Sequence, residues 1–273
     1  MHIRKRALFS ACCIALGLGL ATLAYSASGT TACALIEYTG LELLPDRILV
    51  EPGTSAREQG RLFDLISKAR ARIENTFGAP RAKPIVVFFQ DTQFFWPLKL
   101  NAYGSTSFIG NRVCVIVGPK GQNLDVVAHE LMHAELFERV GYVRRFTEVP
   151  VWFDEGIAMQ VDFRPRYELP KGEPIDTTYV RQLETAHQFF QPNDQQLTKN
   201  YAAAKAEVAH WLSEADVQSL YQRFERIRTG ERFDAALTIS GDSEDQRAGS
   251  SRGLEEAYLP APDQWSSDLK VRR

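Results

Sequence analysis

Histidine is scarce in this chain, with five in 273 residues: His2, His129, His133, His187 and His210. A basic excess is also lacking. Thirty-two Lys and Arg stand against 34 Asp and Glu, a formal charge of −2. That balance argues against nucleic acid as a partner, because phosphate binding needs a concentrated basic surface. Cysteine is limited to four residues, and two of them, Cys12 and Cys13, fall in an apolar N-terminal run. What is left is ordinary globular composition, 44% hydrophobic and 24% charged, enough for one domain of moderate size plus tails.

The N-terminus has the layout of an export signal. Arg4, Lys5 and Arg6 are basic, residues 7–24 are uncharged and mostly apolar, and small residues follow at Ser26-Ala27-Ser28. The run exceeds the usual core of a cleaved signal and nears the length that spans a bilayer. Two outcomes are therefore open for residues 1–28: removal, or retention as an inner-membrane anchor through residues 7–24. A lipid-modified Cys33 is a third, weakened by Thr30 where a lipobox has Leu. Export places Cys33 and Cys114 in an oxidising compartment as an even pair, and they either bridge or remain thiols.

The stretch Val126 to Leu136 reads VVAHELMHAEL. On a helix, residues four apart lie on one face, so His129 and His133 can present two imidazoles to one metal ion. Glu130, next to the first of them, is placed to act as a general base. A zinc ion that activates water needs three protein ligands and an open position. A third ligand must come from elsewhere.

Around that stretch the pattern is α+β. Ser55 to Glu58 is a capping box opening a helix to Phe77, closed by Gly78. Pro84 to Phe89 and Asn111 to Val117 read as strands, the first covered on both faces. Residues 91–110 read as a loop rich in aromatics. Asn123 is the expected N-cap of the motif helix, which should end at Gly141. A second helix opens after Pro150, and a third is expected from Asn200 through Leu212. From Gly241 onward the polar composition marks residues 241–273 as a disordered tail, leaving 33–240 as the domain.

Within the second helix the sequence is Trp152-Phe153-Asp154-Glu155-Gly156-Ile157-Ala158. Together with His129-Glu130-x-x-His133 it resembles the gluzincin zinc peptidases, the group that includes thermolysin and the aminopeptidase N clan. The resemblance covers roughly residues 111–212. It implies a zincin-like fold, Zn2+ held by His129, His133 and Glu155, Glu130 as general base, and Tyr201 as donor to the oxyanion. Metzincins fit less well, since Leu136 and Arg139 stand where that class has Gly and His. Two departures are plain. Met159 stands where the thermolysin pattern has the Asp that supports the first histidine, and no G-x-M-E-N segment precedes the motif, which argues against an ordinary aminopeptidase.

The sequence thus reads as an exported zinc metallopeptidase acting on a peptide or protein in the periplasm or outside the cell. Residues 111–117 are the expected strand for pairing with substrate backbone. The competing readings are a catalytically inactive zinc-bearing scaffold or binding protein, and an envelope assembly factor with a structural metal.

Overall fold

The structure, a computed structural model, describes residues 28–91, 100–169, 176–215 and 219–238. The expected signal or anchor, the aromatics Phe94, Phe95 and Trp96, and the expected tail lie outside them. The first helix, α1 (Ser28–Leu35), leads into strands β1 (Glu42–Leu44) and β2 (Ile48–Val50), then α2 (Ala56–Phe77) and β3 (Ile85–Phe88). A hairpin of β4 (Gly104–Ile109) and β5 (Arg112–Val117) follows, then α3 (Leu124–Val140), α4 (Tyr142–Thr147) and α5 (Val151–Met159). The rest is helical: α6 (Ala186–Phe189), α7 (Asp194–Glu214), α8 (Leu220–Arg228) and α9 (Phe233–Leu237). The fold is α+β, as the sequence pattern implied.

Five strands form one mixed sheet in the order β1-β2-β3-β5-β4. β3 lies parallel to both β2 and β5, while β1 and β4 pair antiparallel with their neighbours. Two expectations change here. Residues 104–109 are a strand and not part of a loop. Their alternation of Ser, Thr and Gly carries no hydrophobic signal, and pairing with β5 decides the conformation. β5 is also closed on both sides, by β3 and β4, so residues 111–117 have no free edge for a substrate backbone. The edge strand next to it is β4, and β1 forms the other edge of the sheet.

Alternation along β5 sends Val113, Val115 and Val117 to the main core, which they share with α2 and α3. Cys114 and Ile116 point the other way, into a smaller cluster with Ala32, Cys33 and Ile36. A disulfide joins Cys33 to Cys114 with their Cα atoms 5.7 Å apart. It ties α1 onto the outer face of the sheet and removes Cys33 from any lipid attachment.

Helix ends follow the local chemistry. Ser55 accepts from the Glu58 N–H, although the Glu58 carboxylate turns to Arg61 and does not complete the box. Asn123 accepts from Val126 N–H at 3.1 Å, and Gly141, at φ 87°, ends α3. Every residue from Val126 to Phe137 is buried, including fully buried Glu135. That carboxylate accepts from the Arg81 and Ala82 N–H groups and from Arg139 Nε, so no charge is left unmatched.

α5 is seated by its aromatic start. Phe153 meets Trp211, Phe224 and Phe233 with ring centroids 5.8, 6.4 and 4.9 Å away, which pins α5 to α7, α8 and α9. The free N–H groups of Val151 and Trp152 donate to the carbonyls of Glu184 and Leu183. One turn further on, Gly156 lets α7 approach closely, for a Cβ there would lie 2.6 Å from the Ala204 carbonyl oxygen. α7 begins at Asp194, six residues before the expected start, because Asn193 caps it.

Two outcomes test this frame. Replacing Cys33 and Cys114 by Ser lowers the unfolding free energy by about 2–4 kcal/mol in denaturant titrations; an unchanged midpoint would show that α1 is not held by the bridge. Gly156→Ala forces α5 and α7 apart and costs about 1–3 kcal/mol, with weaker metal binding at the adjacent Glu155.

Candidate metal centre

α3 places His129 and His133 one turn apart, and α5 brings Glu155 against them. The Nε2 atoms of the two histidines are 3.0 Å apart, and Glu155 Oε2 lies 3.4 Å from His129 Nε2 and 3.6 Å from His133 Nε2. Donor atoms around a tetrahedral ion with bonds of about 2.05 Å stand roughly 3.3 Å apart. The three observed separations bracket that value. Among the described residues, this is the group of His, Cys, Asp or Glu side chains whose ligand atoms converge and could hold a metal ion.

The carboxylate supports the same conclusion. Glu155 Oε2 is buried with no hydrogen-bond partner, a costly state for a charged oxygen unless a cation meets it. Burial pushes the Glu155 carboxyl upward, but His133 and His129 outweigh it and hold the group far below the usual carboxylate range. It is ionised and ready to ligate.

Behind the donors stand two carboxylates. Asp154 Oδ1 lies 2.9 Å from His133 Nδ1, so with Nε2 facing the metal position the Nδ1–H donates to Asp154. Asp162 Oδ2 lies 3.5 Å from His129 Nδ1, too long for a normal hydrogen bond but facing it. It faces the nitrogen that Met159 leaves without a carboxylate, and makes no hydrogen bond to it. Each Asp is held by an arginine. Arg145 pairs with Asp154, and Arg164 grips both Asp162 oxygens, with contacts of 2.9, 3.0 and 2.5 Å. Burial raises the Asp162 carboxyl, and the Arg164 hydrogen bonds more than offset it, leaving it lowered. Burial draws the Arg145 guanidinium down to about 10, against the opposing pull of Glu155.

The group opens into a cleft of about 410 Å³ lined by β4 on one side and by Phe190 and Tyr201 on the other. Glu130 lines it too. Thr106 Oγ1 lies 2.8 Å from Glu130 Oε2 and 2.9 Å from the Glu130 carbonyl, and donates to this residue. A Cβ at Gly104 would lie 2.9 Å from Glu130 Cγ and Oε1, so glycine there makes room for the carboxylate. Tyr201, in the second turn of α7 and not at its opening, has its ring 6.2 Å from that of His129. Burial first, then Glu155, Tyr167 and Glu130, push its phenol well above 10.0. It is therefore a neutral donor at physiological pH.

No family model, curated protein or solved structure matches the chain. The functional reading rests on the residues themselves.

The structure brings all five sequence candidates, His129, Glu130, His133, Glu155 and Tyr201, to one cleft. His187 and His210 are exposed and line no part of it. Sequence reasoning missed Asp154, Asp162, Arg145, Arg164 and Thr106. For Asp154 a signal existed, since it adjoins Glu155 on the same short helix. For the others there was none, because their approach depends on chain reversals after α3 and α5 and on the unrecognised β4.

In equilibrium dialysis the protein should bind one divalent ion per chain. His133→Ala and Glu155→Ala should each lose it, and Asp162→Asn should weaken it by about 10- to 100-fold. Retention of full affinity in both alanine variants would rule out this centre.

Proposed function

We propose that the protein is a zinc-dependent peptide-bond hydrolase of gluzincin type that works in the cell envelope. One observation carries the reading: the Glu130 carboxylate lines the same cleft as a donor group of three. A structural zinc site is closed by a fourth residue, whereas a catalytic one keeps a position open. A general base beside that position fits hydrolysis better than a purely structural role.

His129, His133 and Glu155 would hold the ion, which when bound supplies a Lewis acid that acidifies water and polarises a carbonyl oxygen. Glu130 takes a proton from the attacking water. As the C–N bond breaks, the same carboxyl returns that proton to the leaving amine. Thr106 keeps the Glu130 carboxylate turned into the cleft, and the neutral Tyr201 phenol donates to the oxygen that gains charge. The edge strand β4, which runs along the cleft wall, takes over the backbone-pairing role first expected of residues 111–117.

The disulfide supports export, since such bonds persist in oxidising compartments. The uncharged run at 7–24 agrees with it. No helix among the described residues is long and apolar enough to cross a membrane, so anchoring would fall to residues 7–24.

The test is proteolysis of a mixed peptide library by zinc-loaded wild type, Glu130→Gln and Tyr201→Phe. Turnover should fall by about 10²- to 10⁴-fold in Glu130→Gln with metal content unchanged. Tyr201→Phe should lower kcat more than it raises KM. Bound zinc without turnover in the wild type would overturn the hydrolase reading and leave a metal-bearing scaffold or assembly factor.

A further inference from the structure

One cleft residue has no place in the chemistry above. Arg145 projects from the six-residue α4 into the cleft, with its side chain only 11% exposed. One terminal nitrogen pairs with Asp154, and the Nε is buried with no hydrogen-bond partner. An arginine kept only to neutralise Asp154 has no reason to leave a donor stranded, since an unmatched buried donor costs about 1–3 kcal/mol.

The surroundings are specific. Arg145 is the cation among the described residues that line the cleft, and the carboxylates facing it there are Glu130, Asp154 and Glu155. Asp154 is shared with His133, and Glu155 turns to the two histidines. Beside Arg145 in the cleft stand Phe146, with its ring 5.5 Å from the guanidinium carbon, and Phe108, whose ring centroid is 6.0 Å from that of Phe146. Phe146 is 58% exposed, an apolar ring left open beside the guanidinium. A largely buried guanidinium beside an aromatic ring is poorly hydrated, which suits a planar anion that meets it from the cleft.

We propose that Arg145 receives a carboxylate of the substrate at the Phe108–Phe146 end of the cleft. Resting on the hydrolase reading, this makes the substrate a peptide with a carboxylate close to the scissile bond. That carboxylate is either the chain's own C-terminus or an acidic side chain, and the chemistry of recognition is the same.

The experiment uses matched peptide pairs with zinc-loaded protein. One pair ends in a free carboxylate or a carboxamide, and the other carries Glu or Gln beside an internal bond. The acid member of one pair should show kcat/KM about ten- to a hundredfold above its neutral partner, and the pair that does so names the source. In Arg145→Met the ratio should fall to near one, and Arg145→Lys should keep part of it. Ratios near one in both pairs, with cleavage intact, would overturn this proposal and leave the hydrolase standing. A ratio that survives in Arg145→Met would place the carboxylate on the metal and overturn it equally. Should no peptide be cleaved, or Arg145→Met not fold, calorimetry on the metal-free wild type with N-acetyl-phenylalanine and its amide decides. Tighter binding of the acid supports the assignment, and equal binding ends it.

Discussion

A carboxylate oxygen buried without a partner, beside two imidazole nitrogens, is the constraint on which this structure turns. Glu155 Oε2 sits in that position. An isolated charge in a protein interior is expensive enough that a chain ordinarily neutralises it or pairs it. Here only the two imidazoles, 3.4 and 3.6 Å away, face the oxygen, and the surrounding structure keeps it where it is. α3 is buried along its central turns, Phe153 pins α5, and Gly156 brings α7 into backbone contact. Rigidity of this kind is what a preorganised ligand set needs.

The electrostatics extend outward in order. Each histidine faces an aspartate on its far nitrogen, and each aspartate is held by an arginine. The arrangement pairs each of these buried carboxylates with a cation, and the Asp154 hydrogen bond orients the His133 ring. The two sides are not equivalent. Arg164 spends its guanidinium on Asp162 in a two-oxygen grip, whereas Arg145 meets Asp154 and keeps a donor in hand. Only the second lines the cleft.

Much of this was legible in the chain, and the pattern of success has a physical cause. α3 could be read end to end because its caps, Asn123 and Gly141, and its ligand spacing are local properties. α5 could be read from Pro150 and the aromatic pair. β4 could not, since GSTSFI has neither alternation nor a β-branched run, and it is a strand only through its pairing with β5. That one omission also assigned substrate pairing to the wrong strand. The α7 start was misplaced because the small residues after Tyr201 drew attention from Asn193, the true cap. The supporting arginines and Asp162 are brought in by tertiary folding, which no local spacing announces.

The disulfide has a consequence for the shape of the cleft. Cys33 is three residues from Thr30, and Thr30 lines the cleft opposite the helical wall. α1 is a short helix with a small apolar contribution, and the covalent link to Cys114 on β5 holds it beside Ser107 of β4. Part of the rim around the candidate site is therefore tied covalently to the sheet. The bridge and the burial of Ala32 and Ile36 together fasten that lip to the sheet, so one covalent bond on the outer face helps shape the mouth of a cleft that opens elsewhere.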